Sequence, residues 1–177
     1  MRVICPTCGA QEDLSPDNWC CACGGAWEPE EQEAFDPGLI ASEDHSLWRY
    51  GSLLGLAWKE PVVRLGAGVT PLLPAVAAGR DILVKLEYLA PTGSFKDRGT
   101  AVMMNELIRQ GVSRVVEDSS GNAGASVGAY AARAGMESHV FVPAYASPDK
   151  RAQIGVYGAQ IEAVPGSREE AKREAIQ

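Results

Sequence analysis

The second half of the chain alternates short apolar segments with longer amphipathic ones, and this alternation is the feature that most constrains the fold. It predicts strands at 81–88, 113–118, 137–143 and 159–164. It predicts helices at 96–111, 122–134, 147–158 and 167–177. Ser147 caps the third of these helices, and Ser167 with Glu170 forms a capping box on the fourth. Because such alternation builds βα units, we expect an α/β fold with a parallel sheet and right-handed crossovers.

The last predicted helix has no closing glycine, asparagine or proline before Gln177. Helices in globular domains commonly end near such a residue. We therefore expect the chain to be truncated and its fold to be incomplete.

The composition excludes several classes of protein. Apolar residues make up 46% of the 177 residues, which is enough for a packed core. The formal net charge is −7, so the chain lacks the basic face that nucleic-acid binding needs. No apolar run reaches the length of a membrane span, and the first residues lack the apolar stretch of a signal peptide. We expect a cytoplasmic protein that binds neither nucleic acid nor a membrane.

All five cysteines lie between residues 5 and 23. Cys5, Cys8, Cys20 and Cys23 have the spacing C-x2-C-x11-C-x2-C, and two such pairs can complete a tetrahedral zinc shell. Cys21 is then the leftover thiol. A redox pair, or cysteines without a common role, are the alternatives, but doubled pairs followed by glycines favour structural zinc. Residues 1–27 are thus predicted to form a small zinc-ribbon-like module with no open position for a substrate.

The rest of the chain divides into two predicted parts. Residues 28–60 are interpreted as an acidic, proline-interrupted linker and a lead-in segment, whose aromatic residues we expect to pack on the main domain. Residues 61–177 form that main domain and carry the alternating strands and helices.

Two strand-to-helix junctions are candidates for a ligand site, because ligands bind beyond the carboxyl ends of parallel strands. The first is "APTGSFKDRG", which places Lys96 at the start of a helix. Local physics alone favours an ordinary surface lysine there. The second is "EDSSGNAGAS", residues 117–126, for which a plain turn and an anion site are equally supported. Neither junction has a dinucleotide or P-loop spacing.

The motif pair "PTGSFKDRG" and "DSSGNAGAS" resembles the signature of pyridoxal-phosphate enzymes of the tryptophan-synthase-β fold group, and among them the threonine synthases. The segments "GAGVTPLL" and "FVPAYASPDKRAQI" are similar as well. Some threonine synthases also carry an N-terminal cysteine ribbon. The resemblance implies that residues 61–177 are the N-terminal part of this catalytic fold.

The resemblance also implies a role for each residue that matches the motifs. Lys96 would be the Schiff-base lysine that holds the cofactor aldehyde, Asn122 would hydrogen-bond to the cofactor's ring hydroxyl, and Phe95 would line the cofactor pocket. Ser94 and the loop residues would contact the substrate, and the loop residues are Ser119, Ser120, Gly121 and Ala123. Asp97 and Arg98 are expected to make helix-end contacts.

The implied reaction is the conversion of O-phosphohomoserine and water into threonine and phosphate. Such a reaction needs a second anion pocket, for which Thr92, Ser94 and Lys150 are candidates. The family's loop for the cofactor phosphate and its partner for the pyridine nitrogen have no counterpart in this sequence, so we expect this chain alone to be inactive.

Two alternatives remain open: another enzyme of the same group, such as a serine or threonine dehydratase or a cysteine synthase, or a non-catalytic fragment. The expected partner is a small amino-acid substrate, and the complete protein is expected to be a homo-oligomer.

Overall fold

A computed structural model of the chain describes residues 2–30, 34–56, 58 and 60–177. The chain divides into two compact units, Met1–Pro61 and Val62–Gln177. Three residues of the predicted acidic linker, Glu31, Gln32 and Glu33, lie outside the described residues.

The N-terminal unit contains a small antiparallel sheet in the order β2-β1-β3. Its strands are β1 (Arg2–Ile4), β2 (Gln11–Asp13) and β3 (Glu28–Pro29). Two 3₁₀ helices follow at Pro37–Leu39 and Leu47–Leu53. The buried Trp48 packs against Trp58, with 5.4 Å between the ring centroids. These aromatic rings therefore have a packing role within this unit.

The second unit opens with an antiparallel hairpin of β4 (Leu72–Ala77) and β5 (Arg80–Lys85). Ala78 and Gly79 form its two-residue loop with φ angles of 51° and 71°, which is the left-handed backbone that matches the twist of a tight hairpin. The expectation that residues 81–88 supply a strand of the parallel sheet is wrong. The loop folds this segment back onto residues 72–77, which the sequence pattern had not marked as a strand.

The parallel sheet has three strands in the order β6-β7-β8. They are β6 (Arg114–Glu117), β7 (Glu137–Pro143) and β8 (Gln160–Val164). The helices are α1 (Lys96–Arg109), α2 (Asn122–Ala134), α3 (Pro148–Gly155) and α4 (Arg168–Ile176). The predicted cap at Ser147 and the predicted capping box of Ser167 and Glu170 are both present. The predicted α/β class with a parallel sheet is confirmed.

The core of this unit forms where α2 packs against the sheet. Ala125 of α2 is fully buried in a cluster with Val140, Val142 and Ile154. Gly124 is in still closer contact, since a Cβ there would lie 2.2 Å from the carbonyl oxygen of Ser119. The small residues of α2 thus let the helix start directly beside the loop that follows β6.

No helix within the described ranges combines the length and the apolar character that crossing a membrane requires.

Candidate functional site

Lys96 is the first residue of α1 and follows a tight turn. In that turn the Gly93 N–H donates to the carbonyl oxygen of Ala90 over 2.8 Å, and Gly93 has a φ of 85°, which favours glycine. The Lys96 side chain is exposed, and its Nζ lies 5.1 Å from the centroid of the Phe95 ring. Within the described part of the chain, this amine makes no hydrogen bond or ion pair. It is therefore available for a reaction.

The next residue, Asp97, is fully buried, and its carboxylate accepts hydrogen bonds with both oxygens. Oδ2 accepts from the Thr92 N–H at 2.7 Å, and Oδ1 accepts from the Thr92 hydroxyl at 2.7 Å. Oδ1 also accepts from the hydroxyl of Ser126 in α2 at 2.6 Å. Asp97 thus connects its own turn with a second helix, whereas only helix-end contacts were expected.

Arg98 makes a bidentate ion pair with Glu87, with N···O distances of 2.8 and 2.7 Å. The Thr70 hydroxyl donates to the same carboxylate at 2.6 Å. The hydrogen bonds from Arg98, supported by the one from Thr70, lower the pKa of Glu87 to about 2. The start of α1 is therefore held from two sides, by Asp97 and by Arg98.

The second predicted loop lies between β6 and α2, as the sequence indicates. The N–H of Gly121 donates to the Ser119 hydroxyl at 3.3 Å, and no side chain caps α2. The first N–H groups of a helix have no partner inside it, so an anion or water can accept from them. The side chain of Asn122 is exposed. The other loop residues are partly exposed, namely Ser119, Ser120, Gly121 and Ala123.

Glu117 ends β6 next to this loop, and the sequence reasoning had given it no role. Burial, followed by the negative charge of Asp118, raises the pKa of Glu117. The positive charges of Arg168 and Lys96 oppose this rise. Lys96, at the first predicted loop, thus contributes a positive charge to the surroundings of Glu117.

The anion pocket expected around Thr92 and Ser94 finds no support. Both side chains are buried, and the Thr92 hydroxyl donates to the Asp97 carboxylate. A neighbouring carboxylate repels a phosphate. Lys150, the third candidate, is exposed on α3.

Four cysteines meet in the N-terminal unit, but one of them differs from the prediction. The cluster contains Cys5, Cys8, Cys21 and Cys23, whose Sγ atoms lie within 4.8 Å of one another. Cys20 is outside it, and this corrects the sequence-based ligand set. The reason is the second turn, in which the Cys21 N–H donates to the carbonyl oxygen of Gly25 and the Gly24 N–H donates to that of Cys21. This turn begins at Cys21 and leaves Cys20 ahead of it.

The distances in the cluster suit a tetrahedral metal. The Sγ atoms of Cys5 and Cys23 are 3.6 Å apart, and those of Cys8 and Cys21 are 3.5 Å apart. Zinc bound to four sulfurs at its usual bond length separates them by about 3.8 Å. Gly25 is required here, since a Cβ would lie 2.7 Å from the Cys5 sulfur. The cluster could hold one metal ion.

The thiols of the cluster differ in acidity. Burial raises the pKa of Cys5, but hydrogen bonds from the N–H groups of Cys8 and Thr7 and from neighbouring thiols bring it down to about 6. At Cys21, the Cys23 N–H lowers the pKa, but burial and the neighbouring sulfurs raise it to about 12. A divalent cation would favour loss of the remaining protons, because it stabilises thiolates.

The second unit is thus an α/β fold with an exposed lysine at the start of α1 and a partly exposed loop at the start of α2. The family model "Pyridoxal-phosphate dependent enzyme" matches residues 63–177, and the chain belongs to this family.

Several relatives with a curated name are threonine synthases. That of Synechocystis sp. is 39% identical over 69% of this chain and 34% of its own length. That of Methanocaldococcus jannaschii is 33% identical over 97% of this chain and 45% of its own length. Among solved structures, an O-acetylserine dependent cystathionine beta-synthase from Helicobacter pylori is 25% identical with a TM-score of 0.56, and the match covers 62% of this chain and 40% of that one. The chain thus spans between a third and a half of these two threonine synthases.

The residues of the site fit the family's cofactor. Lys96 offers an unpaired amine that can bond to an aldehyde, and Asn122 offers an exposed amide for a ring hydroxyl. The close approach at Gly124, which a Cβ would block, keeps the Ser119 backbone against the start of α2. The chain therefore has an exposed amine and a neighbouring loop whose chemistry suits this cofactor.

Proposed function

We propose that this chain is part of a lyase similar to threonine synthase, which converts O-phosphohomoserine and water into threonine and phosphate. The threonine synthases among its relatives support this reaction. The structural observation that carries the proposal is the exposed amine of Lys96 at the start of α1. In the part of the chain that the structure describes, this amine has no hydrogen bond or ion pair, and no side chain caps α2 after the second loop.

In this proposal Lys96 would hold the cofactor by its aldehyde, and the Lys96 amine would move protons at the substrate carbons. Asn122 would hydrogen-bond to the ring hydroxyl, and Phe95 would line the cofactor pocket. The bound pyridoxal phosphate would supply an electron sink for negative charge at those carbons.

The substrate is held by the loop before α2 and by the turn before α1. The loop residues, which are Ser119, Ser120, Gly121 and Ala123, bind the substrate carboxylate through N–H and hydroxyl groups at the positive end of α2. Ser94 would contact the substrate from the turn before α1. Its buried hydroxyl accepts from the Lys96 N–H at 3.4 Å, so the turn and the reactive lysine are fixed together.

Product analysis tests the choice of reaction. The complete polypeptide, supplied with pyridoxal phosphate, is incubated separately with O-phosphohomoserine, threonine, serine, and O-acetylserine plus sulfide. We expect threonine and phosphate in equal amounts from the first substrate alone, and Lys96→Ala should lower this rate by about 10³-fold. The exposed Lys172 provides a matched control, and Lys172→Ala should leave the rate unchanged.

Other products would contradict the proposal. A 2-oxo acid formed from threonine or serine would indicate a dehydratase, and cysteine formed from O-acetylserine would indicate a cysteine synthase. No turnover of any of these substrates would favour a non-catalytic role.

We also propose that the cysteine cluster binds structural zinc through Cys5, Cys8, Cys21 and Cys23. A closed set of four sulfurs leaves no position for a substrate, so this ion stabilises its module and takes no part in the reaction. The support is the clustering of the four sulfurs together with a small core. In the 2–30 segment, Val3, Cys5 and Cys21 are the buried apolar residues, and so few cannot stabilise a fold of this size without a cross-link.

A further inference from the structure

We propose that Asp97 is a positioning residue whose buried carboxylate fixes the Lys96 amine relative to the start of α2. This inference rests on the proposed function, in which Lys96 carries the cofactor. It assigns a task to a fully buried side chain next to Lys96.

The Asp97 carboxylate is held in place by burial and by hydrogen bonds. It is fully buried and accepts three hydrogen bonds, two from Thr92 and one from Ser126. Among the described residues, no cation lies within ion-pair distance of it. A buried charge without a counter-ion is costly, and here neutral donors and the positive end of α1 offset that cost. Such a charge has one low-energy position.

The hydrogen bond between Asp97 and Ser126 lies about one helical turn along α2 from Asn122. Lys96 directly precedes Asp97 in α1, and Asn122 lies four residues before Ser126 on the same face of α2. Four residues of helix rise about 6 Å, so the link between the helices lies just beneath the two residues that are proposed to face the cofactor. A shift of Asp97 against Ser126 would displace Lys96 against Asn122 by a similar distance.

The same carboxylate also fixes the turn that carries Ser94 and Phe95. Asp97 holds the N–H and the hydroxyl of Thr92, and the side chain of Gln153 in α3 donates to the Thr92 carbonyl oxygen at 3.0 Å. All three polar groups of Thr92 are therefore occupied. Asp97 therefore connects the turn, α1 and α2, and its carboxylate fixes the positions of both loops relative to one another.

Two variants of the complete polypeptide test the inference, with a third as a control. Asp97→Asn removes the charge, and Ser126→Ala removes only the link to α2. Tyr130→Phe is the matched control, because Tyr130 lies one turn further along α2, is equally buried, and has a hydroxyl without a hydrogen-bond partner in the described structure. Each protein is titrated with pyridoxal phosphate, and the Lys96 adduct is trapped with borohydride.

The decisive readout is the circular dichroism of the bound cofactor in the visible range. It is recorded before reduction and divided by the amount of adduct that is then trapped. It reports how rigidly the cofactor is oriented, and a merely stabilising residue would leave it unchanged. We expect Asp97→Asn to reduce this signal several-fold and to raise the cofactor concentration for half-maximal trapping about tenfold, since small misplacements of reacting groups have large effects. Ser126→Ala should act in the same direction, and the double variant should be no worse than Asp97→Asn, because both changes break one link.

The possible failures are distinguishable. An adduct on Lys96 with an unchanged visible signal in Asp97→Asn and Ser126→Ala would overturn this inference and leave the proposed function standing. An equal loss of signal in Tyr130→Phe would also overturn it, since any buried change would then have the effect. Absence of an adduct on Lys96 in the unaltered protein would overturn both. Far-ultraviolet dichroism shows whether Asp97→Asn folds. If it does not, the visible signal of Ser126→Ala alone tests the inference, because this variant keeps both contacts between Asp97 and Thr92.

Discussion

Three consecutive residues at the start of α1 differ in exposure and in the contacts they make. Lys96 is exposed and makes no hydrogen bond or ion pair with any described residue, Asp97 is buried against α2, and Arg98 is paired with Glu87. The resemblance to a known family predicted a role for Lys96. It did not predict the contacts of the other two, because Ser126 and Glu87 lie 29 and 11 residues away in sequence. Only the tertiary fold brings such partners together.

The Glu87–Arg98 pair should make stability depend on pH in the acid range. The folded state holds the pKa of Glu87 at about 2, below its ordinary value of 4.5. The unfolded chain therefore binds a proton first as the pH falls, so the stabilisation is complete above pH 4.5 and is lost towards pH 2. In urea unfolding experiments, we expect Glu87→Gln to be destabilised at pH 6 and the gap to the unaltered protein to close near pH 2.

A surface ion pair provides the control for this prediction. Arg114 and Glu137 also form an ion pair, but both side chains are more than half exposed. Exposed pairs contribute little, so Glu137→Gln should change the free energy of unfolding only slightly at any pH. A gap for Glu87→Gln that stays constant from pH 6 to pH 2 would contradict the assignment.

At the scale of elements, local patterns predicted the helices better than they predicted strand pairing. The caps of α3 and α4 depend on residues within one turn, and both are found where the sequence places them. The hairpin of β4 and β5 depends on a two-residue loop with left-handed backbone at Ala78, which an alanine rarely adopts. Nothing in the local pattern marked this turn, so β5 was assigned to the wrong sheet.

The cysteine loops illustrate the same limit. Spacing favoured Cys20, because C-x-x-C repeats the first pair, whereas the hydrogen bonds of the second loop start at Cys21. Metal analysis of two variants decides between them. We expect Cys20→Ser to retain one zinc per chain and Cys21→Ser to lose it, with cobalt substitution showing a four-thiolate spectrum in the former alone.

The two serine variants control for each other, since they differ by one position in the chain. Loss of zinc from Cys20→Ser with retention by Cys21→Ser would restore the ligand set that the spacing predicts. Retention of zinc by both would contradict the assignment of Cys21 as a required ligand.

At the scale of the whole molecule, the sequence defines the α/β class, the parallel sheet and the family, because alternation and motif order are linear properties. The family match over residues 63–177 and the strand order β6-β7-β8 agree with that reading. The sequence could not predict the contacts that hold the start of α1 and α2. These are the Asp97 carboxylate, which has no charged partner among the described residues, the bidentate ion pair of Arg98 with Glu87, and a helix start that only glycine permits at position 124.

The proposed function depends most on covalent attachment of the cofactor to Lys96, which can be measured directly. The complete polypeptide is purified with its cofactor, reduced with borohydride, digested, and analysed by mass spectrometry for a modified lysine, with Lys96→Ala in parallel. We expect the cofactor on the peptide that contains Lys96, and no modified peptide in the variant. A cofactor found on another lysine, or on none, would contradict the central claim.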